Sequence, residues 1–326
     1  MGKWSNIAAE KPFKTNGNGS APPAKKGMFA DIKNDLIAMA GEFVGTILFL
    51  LFALGAVQTA STNTSATTSA SADDQAGTQA TGSDSNRLLT YYYVSAAFGL
   101  SLFATASIFY RFTGSIFNPS VSLALCLIGA IKPLRFILVS LAQMIGAIVA
   151  SAILDGLTPG ALVVNVGLAN GTNKAQGLFI EMFTTATLVL SVLMLAAEKH
   201  LLTPFAPLGF GFTLFIVMLF SIAFTGGAVN TARAFGPACI QGFQPYHWIY
   251  WLGPTLGALL ATVFYIFLKE IKYWRITPGQ DSTEVSESPS VHPVTSRMSR
   301  NRANSDTTAA NRDSTNGNGP TGHQAV

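Results

Sequence analysis

Six apolar runs, at about 36–57, 88–110, 136–154, 178–197, 204–224 and 247–268, constrain this chain more than any other feature. Each is close to the roughly 20 residues that an α-helix needs to cross a bilayer. Two further runs, 116–130 and 226–240, fall short of that length. Only 11% of the residues are charged, against roughly 25% in an average soluble domain. A soluble bundle of eight buried helices would need far more polar sequence to cover it. The expected fold is an all-α membrane protein. It has six transmembrane helices and two re-entrant half-helices that enter the bilayer and turn back.

The apolar part, residues 36–270, forms the expected channel domain. Residues 1–35 are a Gly, Asn, Lys and Pro-rich tail, and 271–326 a polar tail; both are expected to be disordered. The first 35 residues hold no apolar segment, so the first span is expected to direct the chain to the membrane. Lys33, Arg111, Lys132, Arg135, Lys199 and Lys269 fall on the side of the N-terminus. Only Arg87 and Lys174 fall on the other. That asymmetry predicts both termini in the cytoplasm. The plasma membrane is the expected location, with a vacuolar or other internal membrane as the alternative. Residues 58–87 then form a long, low-complexity outer loop. It carries the glycosylation sequon Asn63-Thr-Ser65, and the next outer loop carries Asn170-Gly-Thr172. In the C-terminal tail, Arg302-Ala-Asn-Ser305 matches a basophilic kinase site at Ser305. No interleaved basic and aromatic patch points to nucleic acid. Cys126 and Cys239 fall in opposite short runs and are not expected to pair.

The two short runs open on similar stretches, Gly114-Ser-Ile-Phe-Asn118-Pro119-Ser120 and Gly226-Gly-Ala-Val-Asn230-Thr231-Ala232-Arg233. Asn is a strong helix N-cap, and Pro suits the first helical position. Each stretch therefore reads as a loop that starts a half-helix near the membrane midplane. The repeat extends further: Glu42-Phe-Val-Gly-Thr opens the first span and Glu181-Met-Phe-Thr-Thr the fourth. The second copy starts after three crossings, so it is inverted, and inverted repeats share a site near the midplane.

Glu42, Glu181 and Arg233 are the only formal charges read within the membrane segments. Charges there default to a functional or structural task. The two glutamates are expected to accept hydrogen bonds from loop backbone that has no helical partner. A proton relay would want a chain of titratable groups, and none of the four histidines lies inside a span. Arg233 has Val121 at its place in the first half. A lone Arg at the mouth of a half-helix repels cations and donates to neutral solutes; snorkelling to the interface is the alternative. Two Asn donors and two positive half-helix ends would orient a solute oxygen and oppose a proton or cation. This supports passive conduction of neutral molecules. No acid/base pair, nucleophile, phosphate loop, cofactor or metal set offers an enzyme.

Across residues 36–270 these features resemble the aquaporin (major intrinsic protein) family, whose two Asn-Pro-Ala motifs the stretches match imperfectly. Thr225-Gly-Gly-Ala-Val-Asn-Thr-Ala-Arg-Ala-Phe-Gly-Pro-Ala238 carries the resemblance most specifically. The Asn-Thr-Ala variant looks like fungal members. Ser120 stands for the family's Ala, Thr231 for its Pro, and Ile116 where many members carry a His. The resemblance implies a homotetramer with one pore per subunit and no cofactor. It implies central pore-lining motifs at Asn118, Pro119, Ser120, Asn230, Thr231 and Ala232. It also implies a selectivity filter of Phe98, Met218, Gly227 and Arg233. Water-selective members usually carry His where this chain has Met218; the alternative is that Met218 faces the core. Ala234, Ala238 and Tyr250-Trp251 stand where glycerol-conducting members carry other residues, which favours water.

The resulting expectation is a channel for water and small neutral solutes that excludes protons and ions, with hydrogen peroxide left open. A glycerol or small-solute facilitator is the alternative within transport, encouraged by Met218 and Gly227. A poorly conducting adhesion or scaffold protein, using the long outer loop, is the alternative of another class. An ion-coupled transporter is weakened by the lack of further charges along the spans.

Overall fold

The computed structural model describes residues 32–70, 80–277 and 279–280, with backbone alone for 62–70 and 80–85. The first 31 residues, the side chain of Asn63 and Ser305 lie outside that description. Eight α-helices follow in order: α1 Ile32–Ala70, α2 Ala80–Phe109, α3 Pro119–Leu127, α4 Pro133–Leu157, α5 Lys174–Val192, α6 Ala206–Thr225, α7 Thr231–Gln241 and α8 Ile249–Glu270. Among the described residues there is no strand. Six of the helices are long and apolar enough to cross a membrane, while α3 and α7 are not. The fold is therefore six spans and two half-helices. The face at which α1 begins is called proximal here, and the opposite face distal.

Helix ends follow local chemistry. Asn118 caps α3 ahead of Pro119, and Asn230 caps α7. Asn173 and Gln176 form a reciprocal capping box on α5. The left-handed Gly226 (φ 77°) stops α6. The segment expected as an outer loop over 58–87 is shorter than its composition suggests. Helix α1 continues to Ala70, and α2 begins at Ala80. Extending a helix already nucleated in the membrane needs only one bond per added residue, which polar Ala, Ser and Thr sequence can meet.

The packing repeats between the halves. Helix α1 packs on α4 and α2, and α5 packs on α8 and α6. Helix α3 reaches α8 and α7 reaches α4, so each half-helix touches the last helix of the other half. Small residues set these approaches, as in other membrane bundles. A Cβ on Gly146 of α4 would fall 2.9 Å from the Phe43 carbonyl, and one on Gly257 of α8 2.4 Å from that of Met182. Helices α2 and α6 cross between the halves where Gly99 and Gly211 face each other's carbonyl oxygens, each 2.7 Å from the Cβ the other lacks. Chain contacts divide after Ile271; the unit beyond it contains a short 3-10 turn at Tyr273–Arg275.

Candidate functional site

Each re-entrant loop carries the same backbone irregularities. Gly114, Ser115 and Phe117 have φ of 92°, 56° and 47°, and Gly226, Gly227 and Val229 have 77°, 59° and 53°. Positive φ is costly for a bulky or β-branched residue such as Phe117 or Val229. A buried carboxylate holds each loop in that shape. Glu42 accepts from Ile116 N (3.1 Å), Phe117 N (2.7 Å), Thr113 Oγ1 (2.5 Å) and Gln143 Nε2 (2.8 Å). Glu181 accepts from Ala228 N (3.0 Å), Val229 N (2.7 Å) and Thr225 Oγ1 (2.6 Å). Both side chains are fully buried. These bonds satisfy loop N–H groups that have no helical partner and no lipid acceptor.

The loops then join at their caps. Asn118 Oδ1 accepts from Ser120 N, and its Nδ2 donates to Val229 O at 3.0 Å. Asn230 Oδ1 accepts from Ala232 N and Arg233 N, and its Nδ2 donates to Phe117 O at 2.8 Å. A side-chain amide has two N–H donors. The reciprocal bonds use one on each Asn and leave one on each. Both residues line a narrow cavity with about 20 Å³ of space for the centre of a water-sized sphere. A single water needs roughly 10–15 Å³ on that measure, so the cavity has room for one or two water molecules.

Phe98 and Arg233 line the same cavity, with Arg233 Cζ 5.2 Å from the centre of the Phe98 ring. Arg233 Nη1 donates to Val164 O (3.1 Å) and Nη2 to Gly226 O (3.4 Å). Its buried Nε has no protein partner. Among the described residues Arg233 makes no ion pair. The backbone thus fixes the guanidinium plane and leaves the Nε donor and one donor on each terminal nitrogen over.

Of the four expected filter residues, Phe98 and Arg233 line this cavity together with Ala228, and Met218 and Gly227 touch each other. Met218 is fully buried, and a Cβ on Gly227 would fall 2.5 Å from its Sδ. Only a residue without Cβ lets that flexible thioether fold back over the loop. Pro119, Thr231 and Ala232 form the first turns of the half-helices; Thr231 and Ala232 are buried. The sequon residue Asn170 is exposed, yet its amide nitrogen donates to Ala223 O and its Oδ1 accepts from Arg87 Nη2. Cys126 and Cys239 are free thiols.

Sequence reasoning missed several supports. Gln143 bridges Glu42 and Ser122, whose hydroxyl lies 3.1 Å from Nε2. Tyr250 donates to Thr225 O at 2.9 Å. Asp35, only 1% exposed, pairs with Arg135 at the proximal ends of α1 and α4. A polar Gln inside the apolar run 136–154 was the available signal for the first.

Known proteins resemble this chain in sequence and fold. Residues 30–265 match the family model described as major intrinsic protein. The chain is 50% identical over 269 residues to "Aquaporin-1" of Laccaria bicolor, covering 82% of each. It is 48% identical over 259 residues to "Aquaporin-2" of Botryotinia fuckeliana, covering 79% of this chain and 66% of that one. The X-ray structure of the aquaglyceroporin from Plasmodium falciparum superposes with a TM-score of 0.54 at 19% identity. That comparison covers 73% of this chain and 97% of the other, and it speaks to the fold. The paired caps, the buried acids and these relatives agree: this chain belongs to the aquaporin (major intrinsic protein) family of membrane channels and is not an enzyme.

Proposed function

We propose that the chain is a passive water channel that excludes protons and ions. The observation that carries this reading is the narrow cavity on which Asn118, Asn230, Phe98 and Arg233 converge. The two free Asn donors turn a passing water's oxygen toward both half-helices, so that water cannot donate along the file in both senses. Two positive helix ends and the Arg233 charge raise the energy of any cation at the same place. Hydrogen peroxide, neutral and similar in width, fits the same passage.

Glycerol fits it poorly. Phe98 and the held guanidinium flank one end of the cavity, and its small volume supports water over a three-carbon polyol. The face carrying Lys33, Arg111, Lys132, Arg135 and Lys199 is the cytoplasmic one on charge grounds, with the plasma membrane as the location. A homotetramer is the assembly that the family resemblance supports. Stopped-flow shrinkage of proteoliposomes, driven first by a salt gradient and then by glycerol, tests the reading. Fast water efflux with glycerol entry no faster than in empty vesicles is expected. Rapid glycerol entry would make this a small-solute facilitator. No flux of either would favour a scaffold role.

A further inference from the structure

The two ends of the cavity differ in chemistry. Beyond the paired Asn caps, toward the proximal face, its lining includes Leu102, Leu188, Val192, Phe210 and Leu214, beside Ser115 and Ile116 of the first loop. None of the five apolar side chains on the spans can replace a hydrogen bond that a water gives up on entering, and the Ser115 hydroxyl is already donated to Ala106 O. Phe210 is the largest of them and is 2% exposed. It stands on the second turn of α6, and its ring meets that of Tyr110 edge-on, with centres 6.3 Å apart at 66°. Tyr110 follows α2 and donates its hydroxyl to Thr203 O at 3.1 Å. Thr203 opens the 3-10 turn that leads directly into α6. Tyr110 is thereby tied to the segment that carries Phe210, and the aromatic pair is braced from both sides. The connection leaves α5 through a π-helical turn, Leu193–Ala197, one residue past the cavity-lining Val192. Such turns concentrate at functional positions.

We propose that Phe210, held by Tyr110, forms a second constriction at the proximal end of the pore: an apolar collar that sets the rate of water passage through its dewetting. The inference rests on reading the chain as a water channel. It divides the work: the Arg233 end chooses the solute, and the Phe210 end limits how often the file is filled. Apolar constrictions gate in this way because a water inside one has lost partners that nothing replaces. Tyr110 is a positioning residue; it acts on the pore through Phe210.

The test is osmotic water permeability per reconstituted channel, and its activation energy, for the full chain and for Phe210→Ala, Phe210→Leu and Tyr110→Phe. Phe210→Ala should raise permeability by roughly threefold or more and lower the activation energy. Phe210→Leu, which keeps more of the packing, should move both in the same direction by less. Tyr110→Phe keeps the ring, frees it from Thr203, and should give the smallest rise. A native chain that conducts no water while Phe210→Ala conducts would also support the collar. Native conduction left unchanged by both Phe210 variants would overturn the collar and leave the water-channel reading standing. Absence of water flux in the native chain and in every variant would overturn both.

Discussion

Glu42 and Glu181 accept the same three kinds of bond from their re-entrant loops, yet only Glu42 takes a fourth, from Gln143. The glycines at which α4 and α8 touch their partners give the register of the comparison. Three residues before Gly146 stands Gln143; three before Gly257 stands Pro254. Seven before Gly257 stands Tyr250, which ties down Thr225; seven before Gly146 stands Val139. Each half thus braces its loop once through the acid and once through a device of its own. The larger difference is chemical. The second loop places Arg233 over Phe98 and Gly227 under Met218, where the first places Val121 and Ser115. The shared frame fixes the shape of both loops, and selectivity comes from the residues at which they depart.

Removing the shared element should cost most. Glu181→Ala leaves Ala228 N and Val229 N buried without acceptors, at roughly 1–3 kcal/mol each. Water flux per milligram of reconstituted protein should fall at least about tenfold, with a matching loss of thermal stability in detergent. Glu42→Ala should fail similarly, because Ile116 N and Phe117 N lose their acceptors and Gln143 Oε1 is engaged by Ser122. A large difference between the two variants would mean that the halves are not held alike.

Making the halves alike at the selective end comes next. Arg233→Val copies the residue of the first half and should leave water flux within about twofold while opening a proton leak. A pH-sensitive dye trapped in the vesicles reads that leak. An unchanged proton barrier would assign exclusion to the half-helix ends alone.

Gly227→Ser copies Ser115 and places a side chain against Met218 Sδ. Water flux should drop, and Met218→Ala in the same chain should restore most of it. Recovery in the double variant is the sign of coupling between two touching residues. Failure to recover would show that the strain lies in the backbone at φ 59°.

Smallest are the private braces. Tyr250→Phe removes one neutral bond, worth about 0.5–1.5 kcal/mol, and Gln143→Leu removes the charge-assisted bond to Glu42, about 1.5–3 kcal/mol, together with the contact to Ser122. Thermal unfolding should register both, with water flux little altered.

Much of this frame was legible in the residues. The six spans were visible as long apolar runs, and the half-helices as Asn caps heading runs too short to cross. The paired acids were visible because Glu42 and Glu181 open similar five-residue strings. Other features were not legible for identifiable reasons. Gln143 and Tyr250 act across helices, and no local spacing reveals a partner on another span. Spacing placed Met218 beside Gly227, but it could not show that the thioether packs directly on that loop glycine, at the place a Cβ would take. Asp35 pairs with Arg135 on another helix and is buried there, a contact that no local spacing reveals. The extra length of α1 was hidden by Ser and Thr residues that usually mark loops.

The central claim is that two capped half-helices pass water and stop protons at one place. Its most direct test is to measure osmotic shrinkage and proton dissipation in the same vesicles holding the native chain. The account predicts water efflux well above that of empty vesicles with proton dissipation indistinguishable from them. Proton flux rising in step with water flux, or water efflux no faster than through lipid alone, would contradict it.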